Sequence, residues 1–297
     1  MKIIKSLLVR RKLRKVLIHR QKTIHQAEFF CKQFNLNSFN RFSIDRYKSS
    51  DTLFILGSGG SIFNYTNELW KEIKEKDSFG FNHWYYHEHV PTFYMMEHRE
   101  NGNPHSEVRK NLSLIASRYR NVAKFLKVKA GRPSSSSVMS AIPESFKENI
   151  FHVNFYKLPV THLVEYKMGL HELLTGSYRL ALGFPTLEAQ SRGSLDQIIC
   201  FAVAAGYKKI VLCGVDLTTT DYFYTHPDFS VTQEGLKVFP TRQTGKIHST
   251  ADSSCKNITI DQVVKCFRDM LLSEKQIKMY VALKSSGLYP MLPSYFE

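Results

Sequence analysis

The residues able to do chemistry gather in four places along the chain. The first is Gly57-Ser58-Gly59-Gly60-Ser61, which follows a short apolar run. Glycines let a backbone approach a phosphate or ribose, and a helix starting there offers N–H groups and a favourable dipole. The turn has neither the full GxGxxG spacing nor the Lys-Ser/Thr of a P-loop. Its alternative reading is a tight strand-to-helix turn with no ligand. The second place is Gly206 to Asp216, a strand ending in Gly214-Val215-Asp216. It sets Asp216 at the carboxyl edge of a sheet, as a ligand contact or as an acid capping the next turn. The third holds Tyr222, Phe223, Tyr224, His226 and His248-Ser249. Tyrosine hydroxyls can donate to a phosphate without a metal, and an imidazole can take a proton from an alcohol. A loop histidine can equally be a solvated side chain. The fourth is His83-Trp-Tyr-Tyr-His87-Glu88-His89. On a strand, His87 and His89 would share a face, and zinc comes to mind. The spacing matches no HExxH motif, so substrate-facing aromatics or plain surface compete with a metal. The chain also lacks Asp-x-Asp. A donor with a single phosphate needs less charge neutralisation than a diphosphate, and hydroxyl or basic groups can supply it. No metal and no cofactor is expected.

Positioning these groups requires alternating elements. Asp51 to Gly57 reads as a buried strand, and Ile62 to Glu75 as a helix. Phe79 to Trp84 and Thr92 to Glu97 read as strands, His105 to Arg120 as a helix, and Val122 to Lys129 as a strand. Gly131 to Ser137 is a loop by composition. Residues 138–190 show little period beyond a strand over Ile150 to Tyr156. Ser194 to Ala205 reads as a helix, Lys209 to Gly214 as a buried strand, Ile258 to Ser273 as a helix and Ile277 to Leu283 as a last strand. The polar, aromatic stretch from 217 is long for a compact domain and reads as a lid, to about 258. The pattern predicts an α/β fold: a mostly parallel sheet with helices on both faces, a Rossmann-like nucleotide-binding domain with a lid subdomain.

Composition narrows the class. The 297 residues are 43% hydrophobic and 23% charged, which excludes global disorder and a fibrous repeat. No apolar run is long enough for a transmembrane helix, and no signal peptide is evident. Five cysteines without a CxxC pair read as reduced thiols of a cytoplasmic protein. The net charge of +15 is concentrated at the start: residues 1–27 carry nine Lys and Arg, and the first acid is Glu28. Aliphatic residues without aromatics accompany them. That suits an anionic membrane surface better than base stacking, so no nucleic acid is expected; a solvated helix packed on the domain competes. The chain divides into a basic segment, 1–50, and a catalytic domain, 51–297.

In order, these features resemble the bacterial sialyltransferases of glycosyltransferase family 42. Gly57-Ser58-Gly59-Gly60-Ser61 is similar to the family's first turn, and Phe81-Asn82 to the strand end that brings an Asn to the nucleotide. Gly193-Ser194-Leu195 is similar to a later helix start. Gly206 to Asp216 is close to a family segment throughout. Tyr224 and His248-Ser249 resemble the lid and the His-Ser before the last helix. The similarity covers roughly residues 52–297. It departs at Ser58, where the family has Asn, at Thr218, where it has a lid Tyr, and at Met95, where it has another Asn. Arg192 lies near, not at, a family Arg.

The resemblance implies a GT-A-like variant of the fold. It implies inverting, metal-independent transfer of a sialic or related ulosonic acid from a CMP-sugar donor to a glycan or lipid-linked glycan acceptor, in bacterial surface polysaccharide synthesis. His248 would be the base, with His226 as its alternate, and Tyr224 and Tyr222 would stabilise the phosphate. Gly57, Ser58, Gly59, Ser61, Asn82 and Asp216 would form the donor pocket. Ser194 would hold the sugar carboxylate, and Arg192 a carboxylate or phosphate. The departures leave the sugar open among sialic acid, Kdo, legionaminic and pseudaminic acids. Residues 1–27 would dock the enzyme on the inner face of the cytoplasmic membrane, and a homo-oligomer is compatible with the chain. Two other readings stand beside this one: a magnesium-dependent, pyrophosphokinase-like transferase, and a non-enzymatic basic binding module.

Overall fold

Leu53, Phe54, Ile55 and Leu56 have no exposed surface. An unbroken apolar run of this kind fits a strand covered on both faces, and parallel sheets supply such strands. The computed structural model describes residues 11, 26–97, 105–128, 138–153, 156–157, 162–174, 189–190, 193–219, 221–229, 235–239, 248–254 and 257–296. In it, eight strands form one sheet: β1 (Asn37–Ser38), β2 (Thr52–Leu56), β3 (Asp77–Phe81), β4 (Phe93–Met96), β5 (Ala123–Lys127), β6 (Ile150–Val153), β9 (Lys209–Cys213) and β10 (Lys278–Val281). The short strands β7 (Tyr156–Lys157) and β8 (Ala189–Gln190) pair separately. The order in the large sheet is β1-β6-β5-β4-β3-β2-β9-β10, and every pair is parallel. The α/β architecture expected from the alternation is present.

The strand pleat divides the core in two. Leu53, Ile55, Phe79, Phe93, Phe125 and Phe151 face α3 (Leu163–Leu174), α4 (Ser194–Ala204) and α5 (Ile260–Lys275). Phe54, Leu56, Tyr94, Val211 and Cys213 face α1 (Asn67–Lys74) and α2 (His105–Ile115). Thr259 begins α5 with a capping box closed by Gln262.

Residues just before 51 also take part in the packing. Residues 26–34 are helical, and β1 pairs with β6 at the edge of the main sheet. Phe42 lies inside the aromatic core, with ring centres 5.1 Å from Phe125 and 5.2 Å from Phe151. The sheet therefore reaches back across residue 51. Residues 1–10 and 12–25, which carry most of the basic segment, lie outside the described residues, as does the loop at 131–137. Among the described residues no helix is long and apolar enough to cross a membrane.

Two expected elements differ in detail. The helix expected over Ile62 to Glu75 is split: Gly60–Asn64 is a 3₁₀ turn, and α1 starts at Asn67, capped by Thr66. The strand expected over Phe79 to Trp84 ends at Phe81, and Asn82–Tyr86 is a 3₁₀ turn. Asn82 takes the left-handed conformation (φ +56°) at that break, one that Asn tolerates better than most residues. His87 and His89 follow that turn outside any strand, so they do not share a strand face. Helix α3 lies in the stretch 138–190 that showed little period.

Candidate active site

From β2 the chain steps outward through β3, β4, β5 and β6, then returns to place β9 on the other side of β2. The strand order reverses there, and in open α/β sheets ligands bind at the carboxyl ends of the strands at such a reversal. The glycine turn leaves β2 at this reversal, and Gly214-Val215-Asp216 leaves β9. The two exits are stitched together. Gly57 N–H donates to the Cys213 carbonyl at 2.7 Å, and Gly59 N–H to the Gly214 carbonyl at 2.8 Å. A Cβ on Gly57 would lie 2.5 Å from the Gly214 oxygen, and one on Gly59 would strike the Asp216 carboxylate. Gly214 itself has φ +59°. The carboxylate of Asp216 accepts Ser61 N–H at 2.9 Å and the Ser61 hydroxyl at 2.5 Å.

In this arrangement the turn is a close joint between two strand ends. The N–H groups of Gly57, Gly59, Gly60 and Ser61 are all engaged inside the protein. A 3₁₀ turn, not the start of a long helix, follows them. The glycines serve the close approach of two strand ends. Ser61 and Asp216, expected in the donor pocket, are bonded to each other.

Asp221 to Phe223, in the stretch read as a lid, are anchored on the same turn. Gly60 N–H donates to the Asp221 carbonyl at 3.0 Å, and Phe223 N–H to the Ser58 carbonyl at 3.0 Å. An antiparallel bridge links Gly59 and Tyr222. It holds Tyr222 against the glycine turn, and the 3₁₀ turn Phe223–Thr225 brings Tyr224 beside it. Their rings stack at 5.2 Å, with planes 6° apart. Tyr224 is buried against Tyr86 and His83, at 5.3 and 5.6 Å. The Tyr86 hydroxyl is fixed, donating to the Lys237 carbonyl and accepting Phe239 N–H. Burial pushes both the Tyr222 and Tyr224 phenols up, so each keeps its proton and stays a donor.

His248 closes the group. Its Nε2 lies 3.3 Å from the Tyr222 hydroxyl. Its Nδ1 lies 2.8 Å from Thr250 Oγ1, with Thr250 N–H at 3.3 Å. Thr250 N–H donates to Nδ1, which makes Nδ1 the ring's acceptor and leaves the ring proton on the Nε2 that faces Tyr222. Burial lowers the imidazole pKa, which keeps the ring neutral near pH 7. His226 sits elsewhere: exposed, stacked on Phe63 at 4.2 Å and 3.7 Å from the Asp228 carboxylate. The structure brings Tyr222, Tyr224 and His248 together and leaves His226 apart from them.

Two other expected residues lie along the same sheet edge. Asn82 is exposed at the end of β3, with its carbonyl accepting the Tyr94 hydroxyl at 2.5 Å. Ser194 begins α4, and its hydroxyl donates to Glu97 Oε2 at 3.2 Å. Lys127 Nζ lies 3.0 Å from the same oxygen. Neither Glu97 nor Lys127 was singled out from the sequence; a lysine closing the apolar strand Ala123–Lys127 was the available signal. Arg192 lies outside the described residues.

The histidine-rich stretch is built into the core. His87 and His89 are held neutral by burial, with pKa values pushed down to about 3 and about 4. His89 Nε2 pairs with the Ser78 hydroxyl at 3.0 Å, and His87 Nδ1 accepts His89 N–H. The His87 ring stacks on Trp84 at 4.7 Å. Among the described residues no group of three His, Cys, Asp or Glu side chains is placed to hold a metal ion.

No family model matches the chain, and no curated protein matches it. Among solved structures, it is similar to the monofunctional alpha-2,3-sialyltransferase Cst-I of Campylobacter jejuni, with a TM-score of 0.44 and 16% identity over 83% of this chain and 82% of that one. It is also similar to the sialyltransferase CstII of Campylobacter jejuni, solved with the substrate analogue cytidine-5'-monophosphate, with a TM-score of 0.40 and 14% identity over 82% of this chain and 84% of that one.

Proposed function

We propose that this protein is an inverting glycosyltransferase that moves a sialic or related ulosonic acid from a CMP donor to a glycan acceptor. The observation that carries the reading is that Tyr222, bridged to Gly59 beyond β2, has Tyr224 stacked on it and His248 Nε2 at its hydroxyl. These are the groups that the sequence resemblance assigns to phosphate and base. In the tautomer with its proton on Nδ1, neutral His248 takes the acceptor hydroxyl's proton on Nε2 as that oxygen bonds to the anomeric carbon. The bond from that carbon to the CMP phosphate breaks, and its electron pair leaves with the phosphate. Tyr222 and Tyr224 donate to the phosphate as its negative charge grows. A preorganised donor of this kind contributes roughly 2.7–4 kcal/mol to the transition state.

The glycine turn takes an indirect part in this reading. It fixes Tyr222 through the Gly59 bridge, and the Ser61–Asp216 pair locks the turn to β9. Asn82 and Ser58 remain the donor-facing groups on that edge. Metal independence belongs to the same proposal: protonated phenols replace a divalent ion on a single phosphate. Residues 1–27 supply the attraction to an anionic membrane where lipid-linked acceptors are assembled. Deleting them would then lower co-sedimentation with anionic vesicles and spare transfer to a soluble acceptor.

The experiment is transfer from CMP-sugars to a glycan acceptor by wild type, Tyr222→Phe and His248→Ala. The reading expects both variants to bind donor and to transfer far more slowly. Wild-type transfer rates in either variant would contradict it.

A further inference from the structure

At the carboxyl edge, beyond Asn82, three polar side chains from different elements meet. Glu97 follows β4, Lys127 ends β5 and Ser194 begins α4. Lys127 Nζ lies 3.0 Å from Glu97 Oε2, the Ser194 hydroxyl lies 3.2 Å from the same oxygen, and Lys127 Nζ lies 3.4 Å from Ser194 Oγ. The Lys127 side chain is 0% exposed and that of Glu97 is 20% exposed. Ser194 is 6% exposed. A lysine this deep needs a partner to stay charged, and Glu97 provides it. The glutamate is in turn pinned by two buried donors and is the member of the group that reaches solvent. Strand spacing puts it about 10 Å from the glycine turn, two strands away.

We infer that Glu97 is a specificity-determining residue of the donor pocket: an anchored carboxylate that accepts hydrogen bonds from hydroxyl or amino groups of the bound nucleotide-sugar. The inference rests on the proposed CMP-sugar function and refines it. It also reassigns Ser194. Its hydroxyl proton is directed to Glu97, and a second carboxylate docked beside it would meet like charge. The group bound at this corner is therefore a neutral hydrogen-bond donor, and the sugar's carboxylate is held elsewhere. Hydroxyls of the ribose, hydroxyls of the sugar and the exocyclic amine of cytosine share this chemistry.

The sign of one substitution separates the two assignments. Binding of CMP, 2′-deoxy-CMP, UMP and a CMP-sugar would be measured by calorimetry on wild type and Glu97→Gln. The inference expects Glu97→Gln to weaken the ligand that carries the recognised group by about 10- to 100-fold, as for a lost hydrogen bond to a charged acceptor. A loss with CMP that is absent with 2′-deoxy-CMP identifies the ribose hydroxyl. A loss absent with UMP identifies the amine. A loss confined to the CMP-sugar, seen as raised KM at steady kcat, identifies the sugar hydroxyls. Unchanged affinity for all ligands overturns the inference, and so does tighter binding of the acidic CMP-sugar, the result of removing like-charge repulsion. Should Glu97→Gln alone fail to fold, the double variant Glu97→Gln with Lys127→Met removes both charges together. Ser194→Ala removes one anchor and is expected to give the same loss in smaller measure. If wild type binds no CMP and no CMP-sugar, the donor reading itself fails; if wild type binds and Glu97→Gln binds equally, only the role of Glu97 fails.

Discussion

The hydroxyl of Tyr222 lies 3.3 Å from Nε2 of His248, although 26 residues separate them in the chain. The backbone bridge from Gly59 holds one member, and Thr250 holds the far side of the other. On the proposed function, these two side chains are the phosphate's hydrogen-bond donor and the acceptor hydroxyl's base.

The first prediction is a pH profile. Burial lowers the His248 pKa below its ordinary value of about 6.5. A base acts in its neutral form, so transfer should be flat above neutrality and fall as pH drops through a value below 6.5. Thr250→Val removes the oxygen facing Nδ1. It should lower kcat and move that inflection while leaving donor KM nearly unchanged. Initial rates between pH 4.5 and 8.5 test both statements.

Tyr222→Phe should keep the stack on Tyr224 and lose the hydroxyl. The expected loss is about 10²- to 10³-fold in kcat, with little change in melting temperature. A comparable rise in KM at constant kcat would place Tyr222 in ground-state binding instead.

The joint between the strand exits should be structural. Gly59→Ala pushes a methyl group into the Asp216 carboxylate and toward the Gly214 carbonyl at 2.7 Å. The expected cost is ~1–3 kcal/mol, as for overpacking elsewhere. Asp216→Ala leaves the Ser61 N–H and hydroxyl without their acceptor and should cost a similar ~1–3 kcal/mol. Urea denaturation measures both, and unaltered midpoints would remove the joint from the account.

Stability should fall on the acid side of neutrality. Burial pushes His87 down to about 3, and His89 and His152 to about 4. Unfolded histidines bind protons near pH 6.5, so the unfolded state holds more protons than the native one below that value. The contribution is fully present above 6.5 and is lost as pH falls from 6.5 toward 4. Urea midpoints at pH 7.5, 6 and 5 should decrease in that order. His89→Gln should flatten the decrease.

Phe42→Ala should cost ~3–5 kcal/mol, the range for a large buried aromatic. A near-neutral effect would mean that the segment before residue 51 is dispensable for the fold.

Much of the sheet was legible because its strands are short, apolar and fully buried. Leu53 to Leu56 and Ile210 to Cys213 announce themselves by composition, and their spacing implies the crossovers. The entry into the fold was not legible. Phe39 and Phe42 sit among polar and basic neighbours, and only the tertiary aromatic cluster explains them. The strand break at Asn82 was hidden as well, because Trp84, Tyr85 and Tyr86 carry strand propensity while the left-handed Asn ends the pairing. At the site, Tyr222, Tyr224 and His248 were visible as residue types. Their convergence depends on the Gly59 bridge, which no local pattern encodes. The glycine turn is ambiguous in sequence for a physical reason: close packing of two backbones and close approach to a phosphate make the same demand for glycine. Glu97 and Lys127 were missed because a paired charge at a strand end looks, in sequence, like an ordinary solvated residue.

The central claim is that a CMP-sugar reacts at Tyr222, Tyr224 and His248 without a metal. The most direct measurement is release of CMP from a panel of CMP-sugars in the presence of EDTA, with and without glycan acceptor, by wild type and His248→Ala. The account predicts slow release from one donor class without acceptor by both proteins, and fast acceptor-dependent release by wild type alone. No binding or release with any CMP-sugar, or release only on adding magnesium, would contradict it.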